Sequence, residues 1–401
     1  MTIARALLPS LVQELKRREI SIVLGPRQVG KSFLLKQLET IARKQGYKTA
    51  FYNLELPHDL RLFNQPDEEL FTLLTRAGGI VFIDEFHYLK NASRLFKAVY
   101  DSGARVKIVC SGSSSIEIHR HLKESLAGRR LLTMLPPLTM AEFRQKDSRS
   151  DFRVLYREYV TYGALPGLIH VESAAEKLRL LNEMISSYIQ KDIKSLIREE
   201  NIRAFNTLLY LLAERQGSLI SVNSLAGEIG LTAAAVNHHL SILEGTYVAY
   251  SLHSYARNIG NELRKSRKIY LYDLGIRNAL LKDFSAPAAR QDQGTIHESY
   301  VFHELRKKLE PNMELKLWRT KTGEEIDFVL LHNRRPLPIE VKTGLVQPEI
   351  PKPIRRFLSG YPESPGAVIL SEGLQGQGHY AGKPVLFRTF AETADIFASF
   401  V

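Results

Sequence analysis

A glycine-rich segment between a predicted strand and a predicted helix is the most specific chemical pattern in the sequence. An apolar run at residues 20–24 leads into GPRQVGKS at residues 25–32, and a helical pattern follows. This order fits G-x-x-x-x-G-K-[ST], in which backbone N–H groups surround phosphate oxygens. Lys31 is expected to reach the β- and γ-phosphates, and the Ser32 hydroxyl is expected to ligate Mg²⁺. The predicted phosphate-binding residues are Gly25, Pro26, Arg27, Gln28, Val29, Gly30, Lys31 and Ser32.

Two acids follow a second apolar run and complete the requirements of a nucleotide site. Residues 80–83 are apolar, and Asp84 and Glu85 come directly after them. Such a run is typical of a central parallel strand, whose carboxyl end is where ligands bind in open α/β sheets. Asp84 is expected to act on the magnesium ion through water, and Glu85 to orient and deprotonate the attacking water. No N-K-x-D guanine signature follows the phosphate loop, which favours ATP over GTP.

A third strand and a pair of arginines add weaker candidates for the same site. Ser111 or Ser113 could contact the γ-phosphate from the end of the strand; we assign Ser113, while a turn or a helix cap explains either serine equally well. Arg129 and Arg130 follow a glycine near the end of this region. An arginine there can stabilise transition-state charge in the same or a neighbouring subunit, and a solvated basic turn is the competing interpretation.

Two acids and a lysine form a second pattern near the end of the sequence. Residues 325–331 and 338–342 each alternate as a strand does. In the first strand Asp327 lies on one face, and in the second strand Glu340 and Lys342 share a face. If the link HNRRPLP joins neighbouring strands, the three side chains can meet. Two close carboxylates repel unless a divalent cation lies between them, and oxygen ligands suit Mg²⁺ or Mn²⁺. The lysine could then help to activate water or offset charge in a phosphorane-like transition state.

A further acid lies on the apolar face of a predicted helix upstream of these strands. Apolar residues follow Glu298 at the spacing of one helical face, so its carboxylate is expected to face a core. That placement is costly unless the acid is paired or bound to metal. We therefore predict that Glu298, Asp327 and Glu340 ligate a divalent ion beside Lys342.

The composition bounds the possible functions. The chain has 401 residues, 44% of them hydrophobic, a net charge of +12 and a pI near 9.5. This favours two or three globular domains and an anionic partner such as nucleic acid, although a basic surface without such a partner is the simpler alternative. The single cysteine excludes an internal disulfide and a multi-cysteine zinc site. No apolar run is long enough for a membrane helix, and the first residues predict an amphipathic helix rather than a signal peptide. We expect a cytoplasmic protein without membrane contact.

The region between the two sites is predicted to be helical and then to bind nucleic acid. Residues 146–205 predict a helical lid, and residues 206–255 have the element order of a winged helix-turn-helix. The stretch at residues 257–268 carries five basic residues and one acid, so it could contact DNA phosphates near the wing. Winged helices also serve as protein contacts or ATPase lids, and these alternatives stay open.

Together these motifs resemble a prokaryotic AAA+ ATPase family that carries a C-terminal PD-(D/E)XK nuclease-like domain. The resemblance rests on GPRQVGKS, FIDEFHYL and KESLAGR within residues 15–145, and on LWRTKTGEEIDFV and IEVK within residues 256–401. It implies that Arg129, rather than Arg130, is the arginine finger or sensor, which would require a homo-oligomer if it acts in a neighbouring subunit. Ile326 replaces the proline of the PD pair, and the aspartate that carries the chemistry is kept.

The predicted fold class is α/β, with four parts along the chain. These are a P-loop AAA+ core with a parallel sheet (1–145), a helical lid (146–205), a winged helix-turn-helix (206–255) and an α/β PD-(D/E)XK nuclease-like domain (256–401). The predicted function is a DNA-binding ATPase in which ATP, with Mg²⁺, controls a Mg²⁺- or Mn²⁺-dependent nuclease-like domain. The alternative is an ATP-dependent switch that binds DNA or protein through an inactive nuclease fold.

Overall fold

The computed structural model describes residues 3–113, 126–188, 202–256 and 267–400. The chain divides into two compact units. The first unit consists of Met1–Lys146, Leu165–Glu172 and Leu240–Val248, and the second of Asp147–Ala164, Ser173–His239 and Ala249–Val401. The predicted boundaries at residues 145, 205 and 255 stay predictions. No helix in the described ranges has the length and apolar character needed to cross a membrane.

A five-stranded parallel sheet forms the centre of the first unit. Its strands are β1 (Ile20–Gly25), β2 (Thr49–Asn53), β3 (Gly79–Asp84), β4 (Val106–Ser113) and β5 (Arg130–Met134). They lie in the order β2-β3-β4-β1-β5, and every neighbouring pair is parallel. The apolar run of β3 is buried from Ile80 to Ile83, as expected for a strand covered on both faces. The carboxyl ends of β1 and β3 therefore lie at the same edge of the sheet.

Helices cover this sheet and connect its strands. They are α1 (Leu8–Glu14), α2 (Lys31–Lys44), α3 (Pro57–Phe63), α4 (Asp67–Ala77), α5 (Ala92–Asp101) and α6 (Met140–Phe143). Short 3₁₀ turns lie at Phe86–Tyr88, Arg144–Lys146 and Pro166–Leu168. Helix α2 buries Leu34, Leu35 and Leu38 against the sheet and begins directly after the phosphate loop. The predicted strand–loop–helix order is thus present.

Helices and a small sheet form the first part of the second unit. The helices are α7 (Phe152–Tyr162), α8 (Ala174–Tyr188), α9 (Ile202–Glu214), α10 (Val222–Ile229) and α11 (Ala233–Gly245, whose last residues belong to the first unit). The antiparallel strands are β6 (Leu219–Ile220), β7 (Ala249–Leu252) and β8 (Arg267–Leu271), in the order β6-β8-β7. Gly230 ends α10 in the left-handed region, and the Thr232 hydroxyl caps α11 by accepting the N–H of Ala235 at 3.1 Å.

A six-stranded mixed sheet forms the rest of the second unit. Its strands are β9 (Met313–Arg319), β10 (Glu325–His332), β11 (Arg335–Val341), β12 (Ala367–Ser371), β13 (Gly376–Tyr380) and β14 (Lys383–Thr389). The order is β13-β14-β12-β11-β10-β9. The helices are α12 (Leu274–Leu281), α13 (Gln293–Lys307), α14 (Lys352–Gly360) and α15 (Ile396–Phe400), with 3₁₀ turns at Pro287–Ala289 and Phe390–Asp395.

The predicted link HNRRPLP does join neighbouring strands. Strands β10 and β11 are antiparallel, with Phe328 opposite Ile339, and the chain turns at Asn333 and Arg334, both at positive φ. Two positive φ values at the centre of a two-residue hairpin match the twist of the flanking strands. Continued by one residue, this register places Asp327 opposite Glu340. The hairpin therefore supplies the frame of the C-terminal site.

An apolar core holds this hairpin in place. Ile326 and Val329 of β10 are fully buried and belong to one cluster with Trp318 and Phe357. The rings of Trp318 and Phe357 meet edge to face, with 5.4 Å between centroids. Burying a side chain of this size contributes about 1.5–3 kcal/mol. The pairing of β10 with β9 shifts register between Ile326 and Val329, and Asp327 follows Ile326 on the other face of the strand.

Candidate functional site

The phosphate loop joins β1 to α2 in a compact backbone turn. A Cβ on Gly25 would lie 2.3 Å from the carbonyl oxygen of Leu135, so this position requires glycine. Gly30 caps α2 with φ of 89°, a conformation that favours glycine. The buried Lys31 ammonium donates to the carbonyl oxygens of Gly25 and Pro26 at 3.1 and 2.8 Å. Lys31 thus lies inside the loop that it is predicted to serve.

The acid at the end of β3 is held by a serine from the neighbouring strand. Asp84 is buried, and its Oδ1 accepts hydrogen bonds from the Ser111 hydroxyl and from the Glu85 N–H. Ser111 therefore orients Asp84, a role that the sequence did not suggest. The backbone of Ser113 pairs with Gly25, while the Ser113 side chain lies outside the described part of the chain. The assignment of a γ-phosphate contact to Ser113 stays a prediction.

Glu85 has a partner that sequence reasoning missed. Its backbone lies in the left-handed region, at φ of 53°, which is uncommon for a residue with a side chain. Its Oε2 lies 3.1 Å from Nδ1 of His87, within the 3₁₀ turn that follows β3. The sequence gives one indication of this pair, which is that Glu85 and His87 are two positions apart. The imidazole therefore lies beside the carboxylate that is predicted to accept the proton of the attacking water.

An arginine near the start of the chain braces the phosphate loop. Arg5 is buried and donates to the carbonyl oxygens of Val29 and Pro136 at 2.8 and 2.6 Å. Its Nε also donates to Glu142 at 3.2 Å. Burial lowers the pKa of Arg5, and the Glu142 carboxylate opposes this shift. No local motif marks Arg5, because all three partners are distant in sequence.

Replacing Arg5 tests this bracing role. Arg5→Ala should weaken ATP binding roughly tenfold, because the carbonyl of Val29 loses its anchor, and should destabilise the first unit by about 3 kcal/mol, since Glu142 keeps a buried charge. The control is Arg17→Ala, which removes an exposed pair with Glu19. Fluorescent-nucleotide titration and thermal unfolding give the comparison. Unchanged affinity in a folded Arg5→Ala protein would contradict the role.

The structure places Arg129 far from the nucleotide site of its own chain. Arg129 precedes β5, and its carbonyl oxygen accepts the N–H of Ile20, at the start of β1. The phosphate loop follows the other end of β1, about 16 Å away at 3.3 Å per strand residue. The side chain of Arg129 instead pairs with Asp101 at 2.7 Å. The same-subunit interpretation of Arg129 is therefore wrong, and only the neighbouring-subunit one stays a prediction.

The C-terminal constellation is assembled by the β10–β11 hairpin. Asp327 Oδ2 accepts the N–H of Val341 at 2.8 Å. The Lys342 ammonium lies 2.6 Å from Glu340 Oε1, with the carboxylate buried and the lysine 41% exposed. Glu340 Oε2 is buried and has no hydrogen-bond partner among the residues that the structure describes. The hairpin thus brings together Asp327, Glu340 and Lys342, and it leaves one carboxylate oxygen available.

Glu298 is linked to this site by Lys268, a lysine that we had predicted to contact DNA. Its Oε1 accepts hydrogen bonds from Lys268 at 2.8 Å and from the Tyr270 hydroxyl at 2.5 Å. The Lys268 ammonium also lies 2.7 Å from Glu325 and 3.8 Å from Asp327. Lys268 is 2% exposed, so its predicted contact with DNA phosphate is wrong. Alternation in RKIYL, which puts Lys268 and Tyr270 on one face of β8, was the available signal.

Burial and mutual repulsion shift the acids of this site. Burial, and then the charge of Asp327, raise the pKa of Glu298 to about 7 and that of Glu340 to about 8. Burial also raises the pKa of Asp327, although Lys268 opposes this. Burial disfavours the charged form of Lys268, yet the surrounding carboxylates raise its pKa above the ordinary value. Near neutral pH the Glu298 and Glu340 carboxyl groups are therefore partly protonated, which lowers the negative charge that the two lysines must balance.

The donor set fits a divalent ion on two carboxylates rather than three. In the part of the chain that the structure describes, no group of three His, Cys, Asp or Glu side chains is arranged to hold a metal. The orphaned Glu340 Oε2 and the facing Asp327 are oxygen donors of the kind that Mg²⁺ or Mn²⁺ prefers. Glu298 is instead occupied by Lys268 and Tyr270. This arrangement departs from the predicted set of three acids around one ion.

Relatives identified by sequence cover most of the chain. An uncharacterized protein of Mycobacterium tuberculosis is 26% identical over 335 residues, which are 83% of this chain and 72% of the relative. An uncharacterized protein of Methanocaldococcus jannaschii is 24% identical over 340 residues, 80% of this chain and 74% of the relative. Among solved structures, AMPPCP-bound DnaA from Aquifex aeolicus is similar at 12% identity and a TM-score of 0.32, covering 59% of this chain and 86% of that one.

Family models divide the chain into three matched segments. Residues 153–286 match a domain of unknown function (DUF8612), and residues 293–383 match another (DUF4143). The first of these segments runs through residues 205 and 255, where we had placed boundaries. Residues 17–144, which contain the phosphate loop, Asp84 and Glu85, match the family described as AAA domain. The N-terminal part of the chain is accordingly an AAA-type ATPase domain.

Proposed function

We propose that this protein is a DNA-binding AAA-type ATPase whose ATP binding and hydrolysis control a C-terminal Mg²⁺- or Mn²⁺-dependent nuclease-like domain. The observation that carries the proposal is the combination, in one chain, of a phosphate loop with Asp84 and Glu85 and a hairpin that joins Asp327, Glu340 and Lys342. The first constellation suits phosphoryl transfer to water, and the second suits phosphodiester hydrolysis.

In the nucleotide site, each side chain has a task that follows from its position. Lys31 exchanges the carbonyl oxygens of its own loop for the β- and γ-phosphate oxygens of ATP. Ser32 and Asp84 would hold Mg²⁺, which supplies positive charge against the phosphates when bound. Glu85 accepts a proton from the attacking water. Because Lys31 is already buried in the loop, binding replaces one set of oxygen acceptors by another rather than desolvating a free ammonium.

In the C-terminal site, Asp327 and Glu340 would hold the divalent ion, which would activate water and offset phosphate charge. Lys342 is the exposed member of the site, and its ammonium already pairs with Glu340. From there it can donate to a phosphodiester oxygen as negative charge develops. Buried carboxylates beside an exposed cation suit an anionic substrate that approaches from solvent. The PD-(D/E)XK assignment of this domain is part of the proposal.

The alternative is an ATP-dependent switch that binds DNA or protein through an inactive nuclease fold. The observation that favours it is Lys268, which already pairs with Glu298 and Glu325 and so balances part of the charge that a metal would balance. A DNA-cleavage assay with and without ATP separates the two. The cytoplasmic location and the homo-oligomer, with Arg129 acting on a neighbouring nucleotide, belong to both versions.

Nucleic-acid binding has a test of its own at the basic stretch before β8. Residues 257–266 lie outside the described part of the chain, so their contacts stay predicted. Changing Arg264, Lys265 and Arg267 to glutamine should weaken DNA binding and flatten its salt dependence by about 0.9 in log–log slope for each lost phosphate contact. Lys268 is left unchanged because it is buried. Fluorescence anisotropy across a salt series measures the slope.

A matched triple variant controls for net charge. Lys44, Lys97 and Arg105 are exposed residues of the first unit, and changing them to glutamine removes the same three charges. We expect this control to keep the wild-type slope within experimental scatter. An unchanged slope in the first variant, or an equal loss in both, would place the DNA contacts elsewhere.

A further inference from the structure

Lys268 is a buried cation at the centre of the C-terminal acids. Its ammonium lies 2.8 Å from Glu298, 2.7 Å from Glu325 and 3.8 Å from Asp327, and only 2% of its side chain is exposed. An ammonium in such a position balances carboxylates as a metal ion would, but it donates hydrogen bonds and needs longer contacts.

The carboxylates of the site divide between the two lysines. Lys342 pairs with Glu340, and Lys268 pairs with Glu298 and Glu325. The second oxygen of Glu325 is held by Arg319 at 3.0 Å. Within the described ranges, Glu340 keeps one oxygen without a hydrogen-bond partner, whereas Oε1 of Glu298 accepts two bonds. Glu340 therefore has an oxygen that could bind an ion, whereas Oε1 of Glu298 is already engaged.

Glu298 is also fixed by the backbone beside it. A Cβ on Gly217 would lie 3.3 Å from Glu298 Oε1, and Gly217 has φ of 76°. The Tyr270 hydroxyl closes the other side of this oxygen. Because Mg²⁺ requires oxygen contacts of about 2.0–2.1 Å in a near-octahedral arrangement, an ion could use Oε1 of Glu298 only after the Lys268 ammonium had left it.

We propose that the Lys268 ammonium takes the cation position between Glu298 and Asp327, so that Glu298 is a positioning residue for Lys268 and not a metal ligand. This deepens the proposed function, on which it rests, because it leaves Asp327 and Glu340 as the carboxylates open to a divalent ion. Glu298 then serves the site by holding the Lys268 ammonium in place. Removing that cation should create a new divalent-ion position on Glu298 and Asp327.

Counting bound Mn²⁺ in the full-length protein without nucleotide tests this assignment. Lys268→Met should bind one more Mn²⁺ per chain than the wild type, measured by calorimetric titration and by the loss of the free-ion electron paramagnetic resonance signal. Adding Glu298→Gln to Lys268→Met should return the count to the wild-type value. Glu298→Gln alone should leave the wild-type count unchanged and alter the Mn²⁺ affinity by less than about tenfold, because the amide oxygen still accepts a hydrogen bond from Lys268. Lys316→Met, on β9, is the matched lysine control and should change nothing.

Two results would overturn the assignment. One is a folded Lys268→Met protein that binds no more Mn²⁺ than the wild type. The other is a fall in Mn²⁺ affinity of tenfold or more in Glu298→Gln, which would make Glu298 a ligand. If Lys268→Met does not fold, judged by near-ultraviolet circular dichroism, the Glu298→Gln comparison decides alone. A wild type that binds no Mn²⁺ counts against the proposed nuclease-like function, whereas the difference between variants tests Lys268.

Discussion

Replacement of Lys31 by alanine should abolish ATP binding, or reduce it below detection, and with it ATP hydrolysis. The Lys31 ammonium lies inside the phosphate loop, where it already donates to the carbonyl oxygens of Gly25 and Pro26. Without it, those carbonyls lose their donor and the β- and γ-phosphates lose their cation. Equilibrium titration with a fluorescent ATP analogue, beside a phosphate-release assay, measures both losses.

Two comparisons make that result specific. Glu85→Gln should keep nucleotide affinity and slow turnover by at least about 100-fold, because the amide cannot accept a proton from water. Lys36→Ala, on the exposed face of α2, removes a lysine outside the loop and should behave as wild type. Hydrolysis at wild-type rates by both Lys31→Ala and Glu85→Gln would contradict the assignment of this site.

Substitutions in the C-terminal site should have two different effects on divalent-ion binding and cleavage. Asp327→Ala and Glu340→Ala should each remove both divalent-ion binding and nucleic-acid cleavage, because each deletes an oxygen ligand. Lys342→Ala should largely keep the ion and lower the cleavage rate by about 100- to 1,000-fold, since an ammonium cannot ligate a cation but can stabilise developing charge. Calorimetric titration with Mn²⁺ beside a cleavage assay separates the two outcomes.

The ATPase domain supplies the internal control for those variants. Asp327, Glu340 and Lys342 lie in the second compact unit, and the phosphate loop lies in the first. Each variant should therefore still hydrolyse ATP at a measurable rate, which shows that the protein is folded. Lys342→Ala with unchanged cleavage, or Asp327→Ala with unchanged Mn²⁺ binding, would contradict the roles given to these residues.

Patterns confined to a few neighbouring residues could be predicted from the sequence. The phosphate loop lies between a strand and a helix as expected, because glycine spacing and apolar runs act locally. The β10–β11 hairpin and the shared face of Asp327 and Glu340 also follow from strand alternation once the link is short. The AAA domain match agrees with the prediction for the first part of the chain.

Contacts between distant parts of the chain could not be predicted in the same way. Arg5 reaches Glu142 across 137 positions, and no local pattern announces the pair. Lys268 was grouped with its basic neighbours because composition does not tell a buried lysine from a solvated one, although alternation along β8 could have done so. The location of Arg129 depends on which strand β5 pairs with, and strand order is a property of the whole sheet.

The central claim is that one chain couples ATP to a metal-dependent nuclease-like site, and a single cleavage experiment tests it most directly. Linear, nicked and single-stranded DNA would be incubated with the wild type in Mg²⁺ or Mn²⁺, with and without ATP, beside Lys31→Ala and Asp327→Ala. We expect cleavage by the wild type at a rate that ATP changes, cleavage without ATP response in Lys31→Ala, and none in Asp327→Ala. Wild-type protein that hydrolyses ATP but cuts no DNA under any of these conditions would contradict the nuclease-like function and favour the switch.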